Sequence, residues 1–219
     1  PTAKTNLTYT GSAQALINAG SSSTGTIQYK VGTGSYSTSV PTKTAAGTYT
    51  VYYRVVGDSN HNDVVAKSFT VTIAQATNTV TLSQTTGTIK YPNSTSITVS
   101  STASGTISCS SNKTSVATCS VSGSTVTITA GTTAGTATIT VTSAATTNYE
   151  TQTATYVVTV KNGTITLEDS AYTGNYDGAA HNAVTVTKKS PSDVTIKYSI
   201  DGGAYSTTVP TVTGAKEYT

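Results

Sequence analysis

The chain has 219 residues, of which 35% are hydrophobic and only 10% are charged, and its net charge is +3. So few charges form no basic stripe for a phosphate backbone, which argues against nucleic-acid binding. No apolar run reaches the roughly 18 residues that span a bilayer, so no membrane insertion is expected in this segment. Abundant threonine and valine with few helix-forming residues predict an all-β chain.

The first region contains a segment, starting at Ala46, whose apolar and polar residues alternate as in a half-buried strand. One predicted face carries Tyr49, Val51, Tyr53 and Val55. The opposite face carries Thr50, Tyr52 and Arg54. Because Tyr52 and Arg54 point outward in this prediction, they are the candidate surface-contact residues.

The loop "DSNHND" follows this strand and resembles the first half of a calcium loop, with oxygen ligands at Asp58, Asn60 and Asn62. The pattern then fails, because Asp63 stands where glycine is needed and Phe69 where glutamate is needed. We therefore predict a turn with an aromatic ring packed beneath it and no metal site.

The middle region repeats the alternating strand at a shift of 88 residues, where "AGTATITV" aligns with "AGTYTVYY". Ala137, Ile139 and Val141 take the positions of the inward residues. Asn148 and Tyr149 follow in the next loop, at the positions of Asn60 and His61. An Asn followed by a ring thus recurs in both loops.

Two cysteines, Cys109 and Cys119, lie ten positions apart in the middle region. This spacing is too short for the inter-sheet bridge of antibody domains, whose cysteines lie on strands B and F. It suits two adjacent strands, or a strand and the turn beside it. Since the chain has the hydroxyl-rich composition of an exported protein, we predict a disulfide rather than a metal site.

The third region repeats the first at a shift of 169 residues. "TIQYKVGTGSYSTSVPTKTAAGTYT" aligns without gaps on "TIKYSIDGGAYSTTVPTVTGAKEYT", with 14 of 25 positions identical. Three tyrosines recur in this alignment, Tyr29, Tyr36 and Tyr49 as Tyr198, Tyr205 and Tyr218. Recurrence favours packing roles for these rings, with the Tyr49 and Tyr218 hydroxyls bonding back to the backbone.

These patterns divide the chain into residues 1–74, 75–161 and 162–219. Each complete region is expected to hold about seven short strands in a two-sheet sandwich. The third region stops at the equivalent of Thr50, before two strands that the first region contains. We expect either that the natural chain continues with those strands or that a neighbouring molecule lends them.

The segments "YTGSAQALI", "AGTYTVYYRVVGDSNHND" and "SVATCSVSGSTVTITAGTTAGTATITV" resemble the tandem bacterial Ig-like domains of secreted and surface proteins, which also occur in phage virion proteins. The resemblance covers nearly the whole chain. It implies tandem immunoglobulin-like β-sandwiches, the last one incomplete. It implies little about function, because the shared motifs are strand and turn signatures.

Neither a catalytic motif nor a cofactor-binding motif stands out, so no enzyme activity and no cofactor are expected. The main hypothesis is a structural spacer or stalk that is extracellular or on the cell surface, or alternatively on a virion. The alternatives are an adhesive module for a glycan or protein ligand, and a strand-donating subunit of an extracellular filament or virion. The expected partners are further Ig-like repeats or neighbouring copies of the chain.

Overall fold

The chain forms two compact units, Pro1–Lys161 and Asn162–Thr219. The computed structural model describes residues 1–190 and 194–219. Every regular secondary-structure element in these residues is a β-strand, which confirms the all-β prediction.

The first part of unit 1 is a β-sandwich with one four-stranded sheet and two short ladders. Its strands are β1 (Thr2–Ala3), β2 (Leu7–Thr8), β3 (Gln14–Ala15), β4 (Ile17–Asn18), β5 (Thr26–Val31), β6 (Thr42–Lys43), β7 (Gly47–Val56) and β8 (Val64–Ala74). The sheet has the order β2-β8-β7-β5, with β2 parallel to β8, and the ladders are β1–β4 and β3–β6. The buried core lies between them and consists of Leu16, Ile17, Tyr29, Ala46, Val51, Val71 and Ile73.

The second part of unit 1 is a sandwich of two four-stranded sheets. Its strands are β9 (Val80–Leu82), β10 (Thr86–Lys90), β11 (Ser94–Ser101), β12 (Ile107–Ser111), β13 (Ala117–Ser122), β14 (Thr125–Ala130), β15 (Gly135–Ser143) and β16 (Gln152–Lys161). The sheet orders are β10-β16-β15-β12 and β13-β14-β11-β9. The core is apolar apart from the hydroxyl of Tyr156, whose pKa burial raises above its ordinary value.

The two alternating strands adopt the predicted faces. In β15, Ala137, Ile139 and Val141 are fully buried, because alternate residues of a strand point to the same side. In β7, Val51 is fully buried. The register with β8 shifts between Tyr53 and Val55, where β8 holds one extra residue, whereas the pairing of β7 with β5 stays regular to Val56.

Unit 2 contains four strands among its described residues. They are β17 (Thr166–Ala171), β18 (His181–Asn182), β19 (Val184–Ser190) and β20 (Thr211–Val212). They pair as two antiparallel ladders, β17–β19 and β18–β20. A single bridge joins Tyr198 to Ser206, as one joins Tyr29 to Ser37 in the first sandwich.

Candidate functional site: the joint between the two sandwiches

The connection between the two sandwiches of unit 1 is fixed by backbone pairing. Ala76 forms a parallel bridge with Tyr149, in the loop between β15 and β16. Its N–H donates to the carbonyl of Asn148 (2.8 Å), and its own carbonyl accepts from the N–H of Glu150 (2.9 Å). A connection bonded on both sides has little freedom to act as a hinge.

The loop that receives this connection is a turn held by its own side chains; we call residues 146–150 the joint turn. The hydroxyl of Thr146 accepts from the N–H of Asn148 (3.4 Å) and of Tyr149 (3.1 Å). The Gln75 amide donates to the Thr146 carbonyl (2.6 Å). Threonine favours this geometry because its hydroxyl bonds backbone groups two or three residues ahead.

Two side chains of the joint turn reach the first sandwich. Asn148 Oδ1 accepts from the N–H of Ala46 (3.0 Å), a residue of the first core. The Tyr149 ring meets the Tyr9 ring edge-on, with a centroid distance of 5.4 Å and an interplanar angle of 76°. Such ring pairs contribute about 0.5–1.5 kcal/mol beyond their buried area. The joint turn therefore links both sandwiches directly.

Asn78 anchors the start of the second sandwich from a fully buried position. Its Oδ1 accepts from the hydroxyls of Ser101 and Thr102 (both 2.9 Å) and from the N–H of Ala103 (3.1 Å). Its Nδ2 donates to the Ser143 hydroxyl (3.0 Å). Because buried polar groups are costly without partners, this satisfied network fixes the chain just after the joint.

The short connector "AQATN" predicts that the two regions abut with restricted hinge freedom, but the residues that form the joint were not predicted, although the recurring Asn-ring pair was a signal. The expectation of an aromatic packed beneath the turn is wrong for the first loop. In the second loop Tyr149 is half-buried and packs against Tyr9. His61 is half exposed, with 51% of its side-chain surface accessible, and its Nδ1 lies 2.7 Å from Asp58 Oδ1. The hydrogen bond from His61 holds the pKa of Asp58 below its ordinary value.

The predicted surface residues Tyr52 and Arg54 lie on β7 within one group of side chains. Arg54 donates to Gln28 Oε1 from Nε (3.1 Å) and Nη2 (2.9 Å). Its guanidinium carbon lies 4.2 Å from the Tyr36 ring centroid. Lys30 Nζ lies 5.0 Å from the Tyr36 centroid and 5.1 Å from that of Tyr52. We call these five residues the outer-face cluster; a ligand for it stays a prediction.

Cys109 and Cys119 are joined by a disulfide, with their Cα atoms 6.2 Å apart. Cys109 lies on β12, at the edge of one sheet, and Cys119 on β13, at the edge of the other. The bridge therefore links the two sheets through strands that follow each other in the chain, and both residues pack against the core.

The recurring tyrosines differ in their packing. The Tyr49 hydroxyl donates to the Ala45 carbonyl (2.7 Å), which confirms its predicted bond to the backbone. The Tyr218 hydroxyl also bonds to the backbone, in this case as the acceptor for the Gly214 N–H (3.0 Å). The predicted packing of Tyr205 is wrong, because 75% of its surface is exposed. In the first sandwich its counterpart Tyr36 is covered by Arg54, which lies beyond the repeated segment, and by Lys30, whose counterpart is Ser199.

Neither a metal cluster nor a membrane-spanning helix was found in the described ranges. No group of three or more His, Cys, Asp or Glu side chains lies close enough to hold a metal ion. No helix there is long and apolar enough to cross a bilayer.

Comparison with known proteins found similarity only at the level of solved structures. No protein-family model matches the chain, and no curated protein matches it significantly. Domains 1–6 of the surface-layer protein SbsC align over 65% of this chain and 25% of that one, with 21% identity and a TM-score of 0.35. The S-layer protein rSbsC(31-844) aligns over 74% and 30%, with 19% identity and a TM-score of 0.36. Fibronectin(III)-like modules of Clostridium thermocellum CbhA align over 74% and 92%, with 15% identity and a TM-score of 0.31.

The chain spans about a quarter of the length of the first of these structures. Likeness at these scores carries no inference about function. The assignment to β-sandwiches rests on the strand orders and cores described above.

Proposed function

We propose that the chain is a non-catalytic structural spacer, built of Ig-like modules at residues 1–74, 75–161 and 162–219. The observation that carries this proposal is the joint, where the joint turn bonds the connection at Ala76 and also reaches Ala46 and Tyr9. A spacer must transmit position along its length, which needs fixed angles between modules. The proposed location is extracellular, on a cell surface or on a virion, and the proposed partners are further repeats or neighbouring copies.

Replacing Asn148 and Tyr149 together by alanine is expected to release the two sandwiches of unit 1 from each other. The change removes the acceptor for the buried Ala46 N–H, worth about 1–3 kcal/mol, and the ring contact, worth about 0.5–1.5 kcal/mol. Residual dipolar couplings of the full chain measure the result. In the native chain, residues 1–74 and 75–161 should fit one alignment tensor, whereas the double variant should need two tensors of different magnitude.

The matched control is Thr147→Ala, an exposed position in the same turn, which should keep a single tensor. The spacer proposal is contradicted if the native chain already needs two tensors. A double variant as rigid as the native chain would show that the backbone hydrogen bonds of Ala76 hold the joint without these two side chains.

A second candidate function is binding of a glycan or protein through the outer-face cluster. Two tyrosine rings with cations over them form an amphipathic surface of the kind that recognises such ligands. If this function exists, a glycan array or a pull-down with surface extracts should show binding that Tyr52→Ala and Arg54→Ala each reduce. Binding that neither variant changes would exclude the cluster as the site.

A further inference from the structure

The outer-face cluster carries two cations without a carboxylate partner in the described chain. The hydrogen bonds of Arg54 go to an uncharged amide, that of Gln28. Lys30 lies over the rings of Tyr36 and Tyr52. Neither Arg54 nor Lys30 forms an ion pair with any residue that the structure describes. The cluster therefore presents positive charge that the described residues do not neutralise.

The first sandwich contains few acids that could neutralise this charge. Residues 1–74 include five Lys or Arg and two Asp, and no Glu. Both Asp side chains have partners within the loop that follows β7. Asp58 lies against His61 (2.7 Å), and Asp63 accepts from the N–H of Gly57 (2.8 Å). The excess of cations in this sandwich favours an anionic ligand.

Hydroxyl side chains border the cluster on the same face of the sheet. Ser68 lies opposite Tyr52 on β8, and Thr50 and Thr70 form the next cross-strand pair on that face. The core of a protein–protein interface is apolar. A polar border of this kind therefore favours a polyhydroxylated ligand, a glycan, over a folded protein.

The Arg54 guanidinium has one edge fixed and the other available. Its Nε and Nη2 both donate to Gln28 Oε1 (3.1 and 2.9 Å). The terminal edge, formed by Nη1 and Nη2, makes no hydrogen bond to a residue in the described part of the chain. Two parallel N–H groups on such an edge match the two oxygens of a carboxylate. Stacking on the Tyr36 ring, at 4.2 Å, restricts the guanidinium before any ligand binds, which lowers the entropy cost of binding.

We propose that the outer-face cluster binds an acidic polysaccharide that carries uronate residues. The uronate carboxylate pairs with the terminal edge of Arg54 and with Lys30, and the sugar rings pack on the exposed parts of Tyr36 and Tyr52. This inference rests on the second candidate function, ligand binding through the outer-face cluster, and adds the chemical class and the charge of the ligand.

The cluster is not repeated in the other two regions of the sequence. The third region has Ser199 at the position of Lys30. The second region has threonines at the positions of Tyr52 and Arg54. One such site per chain is therefore expected.

Titration of short oligogalacturonates into the full chain provides the test, with their methyl esters as neutral ligands built of the same sugar. Calorimetry should show saturable binding of the acid that weakens as salt is added, because salt screens exposed charges. The ester should bind at least about tenfold more weakly, since it forms no charged hydrogen bonds with Arg54. Amide resonances of residues 28–54 should shift, and those of residues 75–161 should not.

Two chain variants with the same change in charge locate the site. Arg54→Gln should weaken binding of the acid at least about tenfold, because it removes the charged fork. Lys67→Gln removes an exposed cation of the same sandwich outside the cluster, and should weaken binding less than about twofold. The comparison of acid and ester on the native chain keeps the test valid even if Arg54→Gln disturbs folding.

The outcomes separate this proposal from the candidate function on which it rests. Equal binding of acid and ester would overturn the inferred charge and leave glycan binding through the cluster in place. Equal binding of polyglutamate and oligogalacturonate would overturn the glycan class. If oligogalacturonate does not bind, or binds Arg54→Gln as tightly as the native chain, the proposal is overturned, and the second candidate function is then decided by the glycan array and the pull-down.

Discussion

Replacing Asn78 by leucine should lower the free energy of unfolding of the second sandwich by about 2–4 kcal/mol. The Asn78 amide makes four hydrogen bonds in a fully buried site, with Ser101, Thr102, Ala103 and Ser143. When the Asn78 amide is removed, the Ser101 hydroxyl is left as the partner for both the Ala103 N–H (3.2 Å) and the Ser143 hydroxyl (3.1 Å). A buried donor without a partner costs about 1–3 kcal/mol.

Thermal denaturation of the full chain, followed by amide resonances of residues 80–161, measures this loss. For a domain of this size, 1 kcal/mol corresponds to a shift in Tm of roughly 4–8 °C, so a fall of about 8–32 °C is expected. Thr77→Ala changes an exposed side chain one residue away and should leave Tm nearly unchanged. A fall of only a degree or two for Asn78→Leu would show that the network does not stabilise the sandwich.

Removal of the Cys109–Cys119 bridge is expected to destabilise the same sandwich by about 2.5–3 kcal/mol on the chain-entropy model. The two residues are ten positions apart, so the bridge closes a short loop of the unfolded chain. It also joins the edges of two different sheets, where no backbone ladder connects β12 to β13. The double variant Cys109→Ala with Cys119→Ala should therefore melt about 10–20 °C lower.

Mass spectrometry under non-reducing conditions should find no free thiol in the native protein. A reducing agent should lower Tm of the native chain and leave that of the double variant unchanged. Two free thiols after purification under oxidising conditions would refute the disulfide. Equal Tm values for the native chain and the double variant would instead show that the bridge contributes no stability.

The strands and their faces were predictable because a strand encodes its own orientation. Alternation placed Ala137, Ile139 and Val141 on one side without reference to any neighbour, and all three are buried. The gapless repeat was equally informative, because identical residues at Tyr29 and Tyr198 form the same bridge. The extra residue of β8 opposite the segment from Tyr53 to Val55 was not predicted, because only the pairing of β7 with β8 reveals it.

Side-chain surroundings were not predictable from local sequence, because they depend on segments far away in the chain. Tyr36 and Tyr205 occupy equivalent positions in the repeated segment, yet Tyr36 is half-buried and Tyr205 is exposed. Part of the difference is local, because Lys30, which lies over the Tyr36 ring, is replaced by Ser199 in the second copy. The other part comes from Arg54, which is distant from Tyr36 in sequence and reaches its ring through the pairing of β5 with β7.

The sequence by itself thus determined the strands, their inward faces and the duplication, since these follow from period-two alternation and from repeated residues. The tertiary structure decided which strands became neighbours, and through them the joint and the sheets that the disulfide connects. Asn60–His61 and Asn148–Tyr149 occupy equivalent positions in the chain. Only the second pair contacts another sandwich, because only there does the fold bring Ala46 and Tyr9 within reach. Local sequence cannot encode that proximity, which arises from the packing of residues about a hundred positions apart.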